Sequence, residues 1–350
     1  MRGSCTAAAL ALGMVVLPGC WRTDLAPLPV GTVPFEPTAM PVAGWVVEEF
    51  ETTIECPDSS FASIYAVYPT APTGSVPVAV VLHSGAFDYI IDPPASDPIG
   101  GPSYQSTARL THTWAVRKAY ATLGMYDDND PVEQSIGALA GTLANNNIAM
   151  ILPANCWGDW WHNQETVAEN DYATEHFYRN GRFLSSLAWQ IASEPGAAAE
   201  QGMEIPVTFD TSTTYLIGLG EGGRGVGELL DNGAEPAAIL IDSSVDDLNT
   251  YYADPVLYEA TITGLNRIFP SGAAETDAAS LANVTNLPPT AYLYSSLDAQ
   301  IPSGAHDAIL ARLEARDSGD LVVDGAVQRH VLTGSDATLA ADAVSFLVAQ

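Results

Sequence analysis

The chain has 350 residues, 47% hydrophobic and 15% charged, which excludes a disordered polymer and leaves room for one large domain or two small ones. Its 12 basic residues face 42 acidic ones, a net charge of −30. Nucleic acid or anionic lipid would be repelled, so neither is expected as a partner.

From the N-terminus, Arg2 is followed by an apolar run from Ala7 to Pro18, too short to span a bilayer comfortably and suited to the apolar region of a secretory signal. It ends in Leu17-Pro18-Gly19-Cys20. This resembles a bacterial lipobox, although proline before the glycine departs from the usual pattern. The resemblance implies a signal over 1–19, cleavage before Cys20 and lipidation of its thiol. The alternative is ordinary signal cleavage nearby, with an incidental cysteine. The expected product is an exported lipoprotein of the bacterial envelope, on its periplasmic or cell-surface face, touching the membrane by the anchor alone. Residues 20–44 are proline-rich and aperiodic, suiting a tether. Cys5 leaves with the signal, so Cys56 and Cys156 remain where a disulfide can persist.

The domain expected over 45–350 alternates strand and helix signals. Strands are predicted at 45–55 and 61–68, then at 77–87, an apolar run that breaks into a glycine loop. A helix is predicted at 132–145, a strand at 148–154 and a helix at 181–194. A strand at 213–219, a helix at 224–232 and a strand at 237–244 follow. The chain closes with a strand at 289–298, a helix at 303–316, a strand at 326–334 and a helix at 337–348. Such alternation predicts a mostly parallel sheet covered by helices on both faces. The long segments 88–131 and 155–180 interrupt it at one sheet edge, where loops shape pockets.

"TTYLIGLGEGGRGVGELL", residues 213–230, reads as a buried strand, a glycine turn and a helix start. His83-Ser84-Gly85 follows the third strand, and "LPPTAYLYSSLDAQIP" carries Asp298 after a late strand. In this order the landmarks resemble the α/β-hydrolase superfamily of esterases and lipases. The resemblance implies an eight-stranded-type sheet with a lid-like insertion at 88–131. It makes 83–85 the loop that lends a backbone N–H to the oxyanion hole, 218–222 the nucleophile elbow and Asp298 the triad acid. It also implies that the second strand runs antiparallel beside the fourth. Cys56 and Cys156 then sit at one sheet edge, where a bond closing about 100 residues would contribute about 4–5 kcal/mol in the chain-entropy model.

The chemistry does not follow the fold. Acyl transfer needs a hydroxyl or thiol on the elbow, an imidazole to take its proton and a carboxylate to orient the imidazole. Gly220, between Gly218 and Gly222, supplies no nucleophile. After Gly334 the chain reads Ser335-Asp336-Ala337-Thr338 where a histidine is expected, and His330 falls inside the predicted last strand. On this reading nucleophile and base are both missing, Asp298 is vestigial, and Gly220→Ser alone restores no turnover. Glycine also relieves the strain that an elbow imposes on other residues.

The substitutes are weaker. Glu221 would point away from the oxyanion loop, Ser212 lies at the wrong end of the sheet, and His83 and Ser84 point apart on an extended strand. Ser243 and Ser244, close to Asp242 and Asp246, read as loop hydrogen-bonders. Asp127, Asp128 and Asp130 lack the distal glutamate of a Ca²⁺ loop, and His162 and His176 are too far apart to propose zinc. Gly218-x-Gly220-x-x-Gly223 follows a strand, but not the domain's first, which argues against a dinucleotide turn. No metal or cofactor is expected. The resulting expectation is a pseudohydrolase that binds an unidentified small molecule or protein in a pocket walled by Phe87, Trp157, Trp160 and Trp161. The alternative is an active ester hydrolase with a displaced nucleophile.

Overall fold

A computed structural model of the protein describes residues 43–55, 61–82, 139–154, 183–220, 222–244, 280–297, 304–316, 319–325, 332 and 337–350. Eight strands form one sheet: β1 Trp45–Glu55, β2 Phe61–Pro69, β3 Val76–Leu82, β4 Ala149–Ala154, β5 Phe209–Leu219, β6 Ala238–Asp242, β7 Thr290–Tyr294 and β8 Leu321–Asp324. Their order is β1-β2-β4-β3-β5-β6-β7-β8. β2 is antiparallel to both β1 and β4, and every pairing from β4 to β8 is parallel. The expected placing of the second strand against the fourth is therefore observed.

Of the parallel strands, β3 and β4 are apolar and buried almost throughout and β5 is so from Tyr215 to Leu219, because both faces are covered there. On one face Val80, Leu216, Ile241 and Tyr292 pack against residues of the helical stretch 183–193 (α2), of α3 (Gly222–Asp231) and of α4 (Asp307–Glu314). On the other, Val81, Ile217, Leu240 and Leu293 meet Leu143 of the helical stretch 139–145 (α1) and Val344 of α5 (Ala337–Val348). The pleat sends alternate side chains to opposite faces, so one strand feeds both core layers.

Most predicted elements are present with shifted ends. The strand expected at 326–334 lies outside the described residues except for Leu332. The strand that pairs with β7 is Leu321–Asp324, which the sequence did not single out. It is short, β-branched and half-buried, as suits an edge strand, and the longer apolar pattern after it disguised it. His330 falls in sequence between the end of β8 and the start of α5 and lies outside the described residues. Among the described residues no helix is long and apolar enough to cross a membrane.

Candidate functional site at the sheet edge

β3, β5, β6 and β7 end at one edge, and there β5 turns sharply into α3. Gly220 sits at the bend with φ +53, a left-handed conformation that costs a side-chain-bearing residue about 1–2 kcal/mol. Its N–H donates to the carbonyl oxygen of Asp242 at 2.8 Å, and its carbonyl accepts the N–H of Gly223 at 3.0 Å. The turn is closed so tightly that a Cβ on Gly218 would lie 2.5 Å from Gly223 Cα. A Cβ on Gly223 would in turn collide with the Ser244 side chain. Gly223, which the sequence reading assigned only to a rejected dinucleotide motif, is thus a close-approach glycine of the elbow, while Gly222 begins the helix.

Asp242, wholly buried at the end of β6, joins this bend to the rest of the edge. Its Oδ1 accepts the Ser243 hydroxyl at 3.0 Å, and its Oδ2 accepts the Leu332 N–H at 3.4 Å. Ser243 has φ +51, an uncommon conformation for serine, and its N–H donates to the Leu293 carbonyl at 2.8 Å. In the first turns of α3, Arg224 and Glu228 form a buried ion pair at 3.5 Å.

Beyond β7, the Tyr292 hydroxyl lies 2.7 Å from His306 Nδ1, and the imidazole packs against the Tyr294 ring with centroids 5.3 Å apart. Burial lowers the His306 pKa to about 4, opposed by the charges of Asp307 and Asp324. Neutral imidazole is thus the form held at ordinary pH. Sequence reading missed this histidine because a lone residue before a helix carries no pattern.

Gly218 lies in β5, Gly220 holds the bend and Gly222 begins α3. His83, Ser84, Gly85, Phe87, Trp157, Trp160, Trp161, Glu221 and Asp298 lie outside the described residues, as do Cys20, Cys56 and Cys156. Leu82, immediately before His83, is level with Gly218, so that segment leaves the sheet beside the elbow. Ser212 is corrected to a position inside β5, exposed and near its first residues, where its hydroxyl donates to Asp210 at 2.6 Å. That end is remote from the elbow, so its exclusion stands. Among the described residues no cluster of three or more metal-ligating side chains exists.

Sheet order, the lone antiparallel strand within it and the glycine bend after β5 define the class: the chain has the α/β-hydrolase fold. It is similar to an ester hydrolase from the metagenome of Lake Arreo solved with a bipyridine phosphonate derivative, at 13% identity and TM-score 0.50 over 94% of this chain and 86% of that one. Carboxyl esterase 2 of Tuber melanosporum matches at 13% identity and TM-score 0.46 over 88% of this chain and 87% of that one. Prolyl oligopeptidase B of Galerina marginata matches at 12% and 0.49 over 87% of this chain but 36% of its own. No protein-family model and no curated protein matches the sequence.

Proposed function

We propose that this is an exported, lipid-anchored α/β-hydrolase-fold protein that binds a small molecule or partner at the sheet edge without cleaving it. The observation that carries this reading is Gly220 at the tip of the bend, with φ +53 and no side chain. In a dissected serine protease, loss of the nucleophile alone costs about as much as loss of the whole triad, on the order of 10⁶-fold. The wall residues Phe87, Trp157, Trp160 and Trp161 suit an apolar ligand surface, and export follows from the Arg2 and Ala7–Cys20 pattern.

A fluorophosphonate probe, read by intact mass, tests the reading. The protein is expected to carry no stoichiometric adduct, and an adduct on any serine would overturn it. Palmitate incorporation that Cys20→Ala abolishes is the expected signature of the anchor; incorporation unchanged by that substitution would place the anchor elsewhere.

A second reading, ester hydrolysis by a displaced nucleophile, is favoured by one observation. Ser243 holds a positive φ one strand from the elbow, with its hydroxyl on a buried carboxylate. Strained backbone of this kind clusters at active sites. Under this reading the probe labels Ser243.

A further inference from the structure

β8 is last in the sheet order, and among the described residues no strand lies beyond it. Its inner side is bonded to β7, where the Gly325 N–H donates to the Tyr294 carbonyl at 2.9 Å. Alternate residues of a strand turn their main-chain groups to opposite sides. Val323 therefore faces β7 with Gly325, and the N–H and C=O of Val322 face outward. Val322 is 43% exposed. Asp324, two residues on and also exposed, stands on the same face of the strand, because successive side chains alternate.

The Asp324 carboxylate accepts the Ser296 N–H at 3.1 Å, which brings Leu297, 57% exposed, beside it. Leu297 and Val322 are two of the three exposed large apolar residues among those described, and both flank this one carboxylate. Apolar side chains gathered around a charge in this way mark a contact surface, where single scattered ones would not. We propose that the β8 edge is a docking surface for an extended, basic segment of a protein partner. The segment pairs with the main chain of Val322, sets an apolar side chain on Val322 and a basic one on Asp324.

Charge decides the occupant. A second copy of this chain would bring the same carboxylates and a net charge of −30, so the edge repels it. A charge on an edge strand is a common block to self-pairing, and a basic partner turns that block into a cross-strand attraction. The negative field reaches the neighbouring groups. Burial lowers the His306 pKa against the charges of Asp307 and Asp324, and burial followed by the Asp324 charge raises that of Tyr294. The surface lies three strands from the bend after β5, so the inference stands apart from the reading of that bend.

The test titrates the ¹⁵N-labelled protein with the peptide acetyl-Val-Arg-Val-Arg-Val-amide and follows the Val322 amide. Two controls accompany it: the same peptide with glutamate in place of arginine, and the basic peptide fully N-methylated, which can donate no main-chain hydrogen bond. The basic peptide is expected to shift the Val322 signal saturably, and the two controls are not. Asp324→Asn, which keeps an oxygen for the Ser296 N–H, should weaken the basic peptide about two- to fivefold, the worth of an exposed ion pair. Val322→Lys, an exposed position where a charge is tolerated, should remove the response. Equal response to either control would reduce the effect to general attraction by an acidic surface and overturn the proposal. A silent Val322 would overturn it too. So would a Val322 signal that moves with protein concentration before any peptide is added, which would make a second copy the occupant.

Discussion

The N–H of Gly220 and the carbonyl of Asp242 lie 2.8 Å apart, which fixes the tip of β5 to the end of β6. The carboxylate of that aspartate also receives the N–H of Leu332, two residues beyond His330 in sequence. The elbow and the approach to the last helix therefore share one anchor.

That anchor, with β8 ending at Asp324, changes the expectation for Gly220→Ser. In sequence His330 falls between β8 and α5, four residues before the Gly334 after which the resemblance expects the base. Gly220→Ser is now expected to gain fluorophosphonate labelling at position 220, and to lose it again when combined with His330→Ala. Continued silence of the single variant would return His330 to a structural role.

Acid should destabilise the protein through His306. Burial lowers its pKa from 6.5 to about 4, so between those values the unfolded chain binds the extra proton. Stability then rises with pH across that window. It is fully present above about 6.5 and lost as pH falls through about 4, by about 3 kcal/mol. Denaturation of the parent and of His306→Gln at pH 7 and pH 4 isolates the contribution, and parallel slopes would show that His306 is not its source.

Close packing at the bend predicts intolerance of a single methyl. Gly218→Ala sets a Cβ against the Gly223 backbone, and overpacking of this kind typically costs about 1–3 kcal/mol. Gly223→Ala meets the Ser244 side chain, so Ser244→Gly should recover most of its loss. Thermal unfolding of the double-mutant cycle measures this, and simple additivity would show that the two residues do not press on each other.

Ser243 combines strain with a hydrogen bond, and two substitutions separate them. Ser243→Ala keeps the positive φ and loses the bond to Asp242, which should cost about 1 kcal/mol. Ser243→Gly loses the same bond but relieves the backbone, so it should be the more stable of the pair. The opposite ranking in urea would remove the case for strain.

Non-reducing peptide mapping should show Cys56 joined to Cys156. β2 begins between the end of β1 and the end of β4, because Glu55 is level with Phe61 and Ser63 with Ala154. The described chain therefore stops at Glu55 and at Ala154 on either side of the same strand start. Reduction should cost about 4–5 kcal/mol in the chain-entropy model, and two alkylatable thiols in the native protein would refute the bond.

Local chemistry carried much of this into the sequence. Continuous apolar runs marked β3 to β7, because a strand covered on both faces has no reason to alternate. Glycines at 218, 220 and 222 marked the bend, because a side chain at its tip would be strained. The edge strand β8 escaped, since four residues, alternately half-buried and exposed, are too short a run to stand out.

By itself the sequence determined the alternation of strands and helices and the glycine at the bend after β5, which are properties of neighbouring residues. Only the tertiary structure decided that Asp242 ties Gly220 to Leu332 and that Ser243 takes a positive φ with its N–H on Leu293. Those relations join residues from 22 to 90 positions apart, and no local pattern encodes which strand tips meet when a sheet is assembled.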